Sequence, residues 1–514
     1  MASAMLLPLV YLGVRASEAG GDVIPILTSY RTLETFANTV LITFVVTALS
    51  AIIAVISALL TVKTDLPGRR LWTILLTMPL AIPSFVGSFA IIATFAPRGS
   101  LLHNLLAPYG VESLPSIYGW PGAVLALTLF TYPYVYLTTK AALQGIDPAI
   151  EEVSRSLGHN IRSTLRRVTL PHLFPSIAAG SMLVAFYTLS DFGTPALMQF
   201  NSFTRIIFVE YELAFNRHSA AILSLLLISL VFVILYLEHR ARSKVHYYSI
   251  GPNAKRQPLI INLGRWKWPS LIFCGAVASL AIFMPLGTML YWFFQGLLAG
   301  TSFPDLGLIT LNTVYVAAMA TLLIVSLALP VALLTVRFPS RAASMIEKLS
   351  YVGFAMPGIA VALALVSFGA NYLTVFYQSI GMLVFAYIVL FIPLSIGTIR
   401  SNLLQLSPRI EEVARSLGLG PGRTMLTVTI PMIKTGLLAG AALVIVTIMK
   451  ELPATLLLSP IEFRTLATQI WVGTETASFS HSAASALILV AVSAISITII
   501  LSQENVNRGE RTYA

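Results

Sequence analysis

Residues 148–180 read PAIEEVSRSLGHNIRSTLRRVTLPHLFPSIAAG, and residues 408–440 read PRIEEVARSLGLGPGRTMLTVTIPMIKTGLLAG. The two copies align without a gap at a constant offset of 260, and 15 of the 33 positions are identical. Helix punctuation indicates what such a segment can do. Asp147 and Ser407 stand at N-cap positions, each followed by proline at the first helical residue. Glu151, Glu152, Glu411 and Glu412 fall in or just beyond the first turn, where the helix dipole favours carboxylates. Gly158 and Gly418 suit the left-handed residue that closes a helix. A second short helix begins at Asn160 in one copy and at Gly420-Pro421 in the other. It is expected to stop at Leu170-Pro171 and Ile430-Pro431. Two short helices bent at a glycine make a rigid docking element. An amphipathic helix pair lying in the membrane interface is the plainer reading of the same residues.

Two carboxylates repeat at that offset as well. Asp191 and Glu451 lie 260 residues apart, each 20 residues beyond its motif proline, Pro171 or Pro431. Twenty helical residues span about 30 Å, which places both acids toward the opposite side of a membrane. Ionisable groups at that depth are costly and usually face a polar path. A symmetric pair of carboxylates would draw in a cation, and a hard trivalent ion prefers oxygen ligands. The local alternative pairs Glu451 with Lys450 or Arg464 and makes Asp191 a cap. Tyr132, Tyr134, Tyr136 and Tyr187 could add phenolate oxygens, although interfacial aromatic belts account for most membrane tyrosines. No metal site is firmly assigned: the seven histidines show no ligand spacing, and the single cysteine, Cys274, lies in an apolar run as a structural thiol. The motifs G-x-x-x-x-G-K-[ST], H-E-x-x-H and G-x-S-x-G are absent. The chain is therefore not read as an enzyme, and any ATP must be bound by a separate subunit.

The elements that hold these residues are membrane spans. Of 514 residues 57% are hydrophobic and 10% charged, against about 25% charged in a soluble domain. That composition excludes a disordered chain, a nucleic-acid-binding protein and an ordinary soluble enzyme. Apolar stretches long enough to cross a bilayer fall near 37–62, 71–95, 120–142, 173–191 and 219–237 in the first half. The second half supplies 268–297, 311–334, 349–370, 380–398, 433–457 and 482–502, and the shorter segment 1–14 is taken as the first span. With the N-terminus in the cytoplasm, the inner loops hold 25 Lys and Arg and the outer loops six, namely Arg15, Arg31, Arg98, Arg205, Arg217 and Arg464. The split fixes the orientation and explains the net charge of +11 without nucleic acid.

Earlier landmarks repeat at an offset of 274: Asn38-Thr39 with Asn312-Thr313, and Pro83 with Pro357. Each half then carries six spans in the same orientation, a parallel repeat of a kind found in transporters. The predicted architecture is an all-α polytopic membrane protein of about twelve transmembrane helices. Residues 1–237 form the first half with a cytoplasmic loop at 144–171. Residues 238–267 form a basic linker, 268–502 the second half with a loop at 404–431, and 503–514 a cytoplasmic tail. Pro79, Pro83 and Pro357 are expected to bend spans that line the path. Leu7-Pro8 matches Met284-Pro285 in pattern but has fewer apolar residues before it, as if the true start lay upstream of Met1 or the first helix were tilted and incomplete.

The duplicated segment resembles the EAA loop of binding-protein-dependent ABC importer permeases. That pattern is carried here by Glu152-Val153-Ser154 to Gly158 and by Glu412-Val413-Ala414 to Gly418, with 13 residues from each glycine to Pro171 or Pro431. The stretches around Asp191 and from Lys450 through Thr468 resemble the fused, twelve-span permeases of ferric-iron importers, and the likeness covers nearly the whole chain. The resemblance implies the type I importer permease fold, with Glu152, Gly158, Leu170, Pro171, Glu412, Gly418, Ile430 and Pro431 coupling to an ATPase. It implies two copies of that ATPase subunit, a periplasmic substrate-binding protein and a place in the bacterial inner membrane. ATP would be bound by the partner, with no covalently bound cofactor on this chain. Thiamine and phosphonate permeases share the layout and remain the alternative cargoes; a secondary transporter driven by an ion gradient is the alternative of another class.

Overall fold

The structure, a computed structural model, describes residues 2–212, 214–242, 260–303 and 305–510. Most of the basic linker, residues 243–259, and the end of the tail, 511–514, lie outside the described residues. All twelve apolar stretches fall on helices, with breaks inside 71–95, 349–370 and 433–457. Among the described residues six helices are long and apolar enough to cross a membrane alone: Tyr30–Lys63, Ile161–Ser190, Arg217–Tyr236, Gly264–Leu298, Leu306–Arg337 and Ile380–Gln405. Three more candidates are bent pairs, and together they bring the count to nine. The remaining three stretches fall on Leu7–Glu18, Trp120–Gly145 and Phe479–Glu510.

The bends have identifiable causes. Arg69–Ala81 meets Ser84–Phe95 at 97°, and Arg341–Ala355 meets Gly358–Tyr372 at 100°. Pro83 and Pro357 stand at the two corners, preceded by Ile82 and Met356 in extended backbone. A residue before proline is pushed out of the helical region, so the break is written in the sequence. Pro79 lies in the 3₁₀ turn Met78–Ala81 just before the first corner.

The two compact units do not coincide with the sequence halves. One comprises Met1–Leu27, Ile207–Ile228 and Gly296–Ala514; the other comprises Thr28–Ile206 and Ser229–Gln295. In the first unit Tyr11 packs edge-on to Phe368 and Tyr372, with ring centroids 5.8 and 6.3 Å away. In the second, Thr94 shares a 2.6 Å hydrogen bond with Thr288, and the Trp292 indole donates to the Ala93 carbonyl at 3.2 Å. Each half's leading helix thus packs on the broken helix of the other half. The short N-terminal helix buries Pro8, Tyr11 and Leu12 in this way, which a division at the linker does not anticipate.

Candidate functional site

In the first copy the helix Pro148–Ser156 opens with the Asp147 carboxylate accepting from the Ala149 amide at 3.0 Å. Gly158 closes it at φ +87°. Asn160 then caps the next turn by accepting from the Ser163 amide at 2.9 Å. The inner face is Pro148, Glu151 and Ser154, three residues apart. The outer face carries exposed apolar side chains, Val153 and Leu157, the latter 75% exposed. These apolar side chains stand among exposed polar ones, Glu152 and Arg155, while a carboxylate is buried beneath them, so the exposed face offers apolar surface that a partner could cover.

Glu151 is the buried acid. Its carboxylate receives the Lys63 ammonium at 2.8 Å and the Thr169 hydroxyl at 2.8 Å. Lys63 is the last residue of Tyr30–Lys63, and both charges are buried. One carboxylate therefore ties the exposed helix to the end of one span and the start of another. The second copy repeats the arrangement. Arg337, the last residue of Leu306–Arg337, reaches Glu411 at 3.1 Å, and Thr429 donates to the same carboxylate at 3.2 Å. Arg337 also donates to the Leu406 carbonyl at 3.2 Å. Val413 and Leu417 are exposed, and Gly418 sits at φ +91°.

Three details depart from the sequence expectations. Ser407 has the extended backbone of an N-cap but makes no side-chain cap, leaving Pro408 to start the helix. The second helices do not stop at the prolines. In the first copy Ile161–Ser190 runs through, because a π-turn at Leu165–Thr169 lets the Leu170 amide donate to the Leu165 carbonyl just before Pro171. Widening the turn makes room for a ring that would otherwise strike the carbonyl four residues back. The same device precedes Pro431, and there the bend comes at Ile433, where Pro421–Met432 meets Lys434–Met449 at 69°. Glu152 and Glu412 are exposed, whereas Glu151 and Glu411 hold the clamp. The signal for the inner pair was present: Lys63 and Arg337 repeat at the offset of 274 and Glu151 and Glu411 at 260.

Asp191 and Glu451 belong to different units and occupy equivalent places, each at a break after a long helix. The span read as 433–457 ends at Met449, and Pro453–Leu458 is a separate short helix. Both carboxylates cap the short helix beyond the break. Asp191 accepts from the Thr194 amide at 3.0 Å, and Glu451 from the Ala454 and Thr455 amides, each at 3.1 Å. The Thr455 hydroxyl also lies 3.1 Å from the Glu451 carboxylate, so local amides and a hydroxyl engage this acid. The corner residue compensates for the difference in length. Ser84 donates its hydroxyl to Asp191 at 2.6 Å, with the Tyr187 hydroxyl donating to Ser84 at 3.1 Å. Its counterpart at the offset of 274 is Gly358, where an added Cβ would lie 2.8 Å from the Glu451 carboxylate. The longer acid takes the space of the missing hydroxymethyl group.

The tyrosines are partly explained by local bonds: Tyr132 donates to the Leu76 carbonyl at 2.9 Å, and Tyr136 pairs with the Thr61 hydroxyl at 3.1 Å. Tyr134 packs against Tyr187 at 5.9 Å between centroids. Among the described residues no group of three or more His, Cys, Asp or Glu is placed to hold a metal ion. Cys274 is buried.

A duplicated, all-helical chain with long apolar spans and the same clamped helix pair in each half has the architecture of a membrane transport subunit. The chain matches the family described as binding-protein-dependent transport system inner membrane component over residues 50–243 and 324–512, and it belongs to that family. It is similar to the Fe(3+)-transport system permease protein FbpB 2 of Haemophilus influenzae, at 32% identity over 96% of this chain and 95% of that one. It is also similar to the ferric transport system permease protein FbpB of Actinobacillus pleuropneumoniae, at 24% identity over 92% of this chain and 71% of that one. A solved chain of a bacterial ABC transporter that imports the polysaccharide alginate aligns over 46% of this chain and 88% of its own, with 15% identity and a TM-score of 0.39.

Proposed function

We propose that the chain is the membrane permease of an ABC importer that carries ferric iron from a periplasmic binding protein into the cytoplasm. ATP is hydrolysed on a separate subunit, since the phosphate-cradling motif is absent from this sequence. The observation that carries the reading is the pair of buried clamps, Lys63–Glu151 and Arg337–Glu411, behind two helices that expose Val153 and Leu157 or Val413 and Leu417. A partner that seats Val153 and Leu157, or Val413 and Leu417, in a cleft and then closes would push on Glu151 or Glu411. The push passes directly to the ends of Tyr30–Lys63 and Leu306–Arg337. Glu152, Gly158, Leu170, Pro171, Glu412, Gly418, Ile430 and Pro431 complete these loops. Two loops on one chain fit two ATPase subunits, and the basic loops fit cytoplasmic termini.

Ferric iron is supported by the relatives named for ferric transport and by the oxygen-rich corners around Asp191 and Glu451, each about 30 Å along a helix from its loop. The experiment is reconstitution with the ATPase and binding protein in lipid discs, screening ferric ion, thiamine and aminoethylphosphonate for stimulated ATP hydrolysis. Stimulation by ferric-loaded binding protein alone is expected. Stimulation by thiamine or the phosphonate instead would overturn the cargo, and full transport with no ATPase would overturn the class.

A further inference from the structure

One unit holds a cavity at the end of Leu306–Arg337 that is farthest from the coupling loop. The helix has 32 residues, so about 48 Å separate the cavity from the Arg337–Glu411 clamp. Its volume is about 380 Å³, and its lining includes Asp305, Arg464, Gln469, His481 and Ser485. We infer that this cavity binds a phosphate-type oxyanion, either free or carried on a lipid headgroup.

The chemistry of the lining converges on that ligand. Arg464 supplies a planar guanidinium, which fits a tetrahedral oxyanion through two parallel donors. Its side chain makes no ion pair or hydrogen bond among the described residues; only its backbone carbonyl is engaged, by Asn312 at 3.1 Å. Gln469 and His481 add donors, and the His481 ring is held edge-on against Phe303 at 5.2 Å. Two 32-residue helices begin at the cavity: Leu306 follows Asp305, and His481 lies in the first turn of Phe479–Glu510. The positive end of each helix dipole therefore lies at the cavity wall.

The independent observation is Ser485. It is completely buried, it lines the cavity, and its hydroxyl has no hydrogen-bond partner among the described residues. A buried hydroxyl without a partner is costly, and a ligand oxygen in the cavity would satisfy it. Asp305 is the one acid. It makes no side-chain cap to its own helix. Its carboxylate can only accept, so it selects an anion that also carries a donor. Monohydrogen phosphate has a P–OH group, and a phosphoethanolamine headgroup has an ammonium; sulfate has neither.

The full chain, purified in detergent and stripped of lipid, should be titrated calorimetrically with inorganic phosphate and with sulfate. The expected result is phosphate binding at least tenfold tighter than sulfate binding. Arg464→Gln should weaken phosphate at least tenfold, and Ser485→Ala should weaken it several-fold. Asp305→Asn should bring sulfate close to phosphate. Native mass spectrometry before stripping separates the sources. A phospholipid retained by the wild type, lost in Arg464→Gln and displaced by phosphate identifies the headgroup; its absence alongside phosphate binding identifies the free ion. Phosphate affinity and lipid retention that are both unchanged in Arg464→Gln and Ser485→Ala, or no binding of either kind to the wild type, would overturn the inference.

Discussion

Replacing Glu151 by Ala should release the helix Pro148–Ser156, whereas replacing its neighbour Glu152 should not. The difference lies in the contacts of each carboxylate. Glu152 is exposed; Glu151 is buried against Lys63 at 2.8 Å and Thr169 at 2.8 Å. Lys63 is 2% exposed, and its ammonium has no other partner among the described residues. Removing one member of a buried ion pair costs about 3–5 kcal/mol, because the remaining charge stays desolvated. At 1.4 kcal/mol per factor of ten, the loop should open roughly 10² to 4 × 10³ times more often. In the second copy Arg337 keeps the Leu406 carbonyl at 3.2 Å, so Glu411→Ala should cost less, about 1–3 kcal/mol. The assay is limited proteolysis after Arg155 or Arg415 in folded, detergent-solubilised protein, where the cleavage rate follows the open population. Capture of the ATPase subunit is the functional readout. Replacing the pair with apolar residues, Lys63→Met with Glu151→Met, should restore protection, since apolar substitutes for a buried ion pair are often neutral. Equal protection in Glu151→Ala and Glu152→Ala would refute the clamp, and so would failure of the apolar double variant to recover.

Three further outcomes are expected. Gly158→Val with Gly418→Val should abolish transport while leaving insertion intact, and Gly158→Asn with Gly418→Asn should be milder; no atom crowds either position, so the cost of about 1–3 kcal/mol is backbone strain alone, read out by ATPase capture. Asp191→Asn with Glu451→Gln removes both charges and leaves each side chain one accepting oxygen for its cap, and should abolish uptake of labelled ferric ion while each single change only reduces it; a thermal-stability series on the same variants separates lost charge from lost capping, and normal uptake in the double variant would leave these residues as caps. Gly358→Ala should destabilise the second corner, because its Cβ would lie 2.8 Å from the Glu451 carboxylate, and Glu451→Asp should relieve it in a thermal-stability series.

The elements and their breaks were legible because local rules govern them. Pro83 and Pro357 predicted the corners, and the left-handed closures at Gly158 and Gly418 needed only the absence of a Cβ. Departures arose where tertiary contacts decide. The prolines at 171 and 431 look like stops until the π-turn that accommodates them is seen. The grouping of Tyr11 with Phe368 depends on which half offers an apolar surface, which no window of sequence records. The inner glutamates of the site were hidden beside the exposed ones: Glu151 and Glu152 differ by one position, or about 100° around the helix. Only the repeat partners Lys63 and Arg337, more than 70 residues distant, tell them apart.

The decisive measurement is uptake of radiolabelled ferric ion into proteoliposomes holding this chain, its ATPase subunit and the ferric-loaded binding protein. Uptake should require ATP and the ATPase, ignore an imposed proton or sodium gradient, and be lost in Glu151→Ala with Glu411→Ala. Uptake that proceeds without the ATPase, or an ATP-driven system that moves thiamine or a phosphonate and leaves ferric ion outside, would contradict the proposed function.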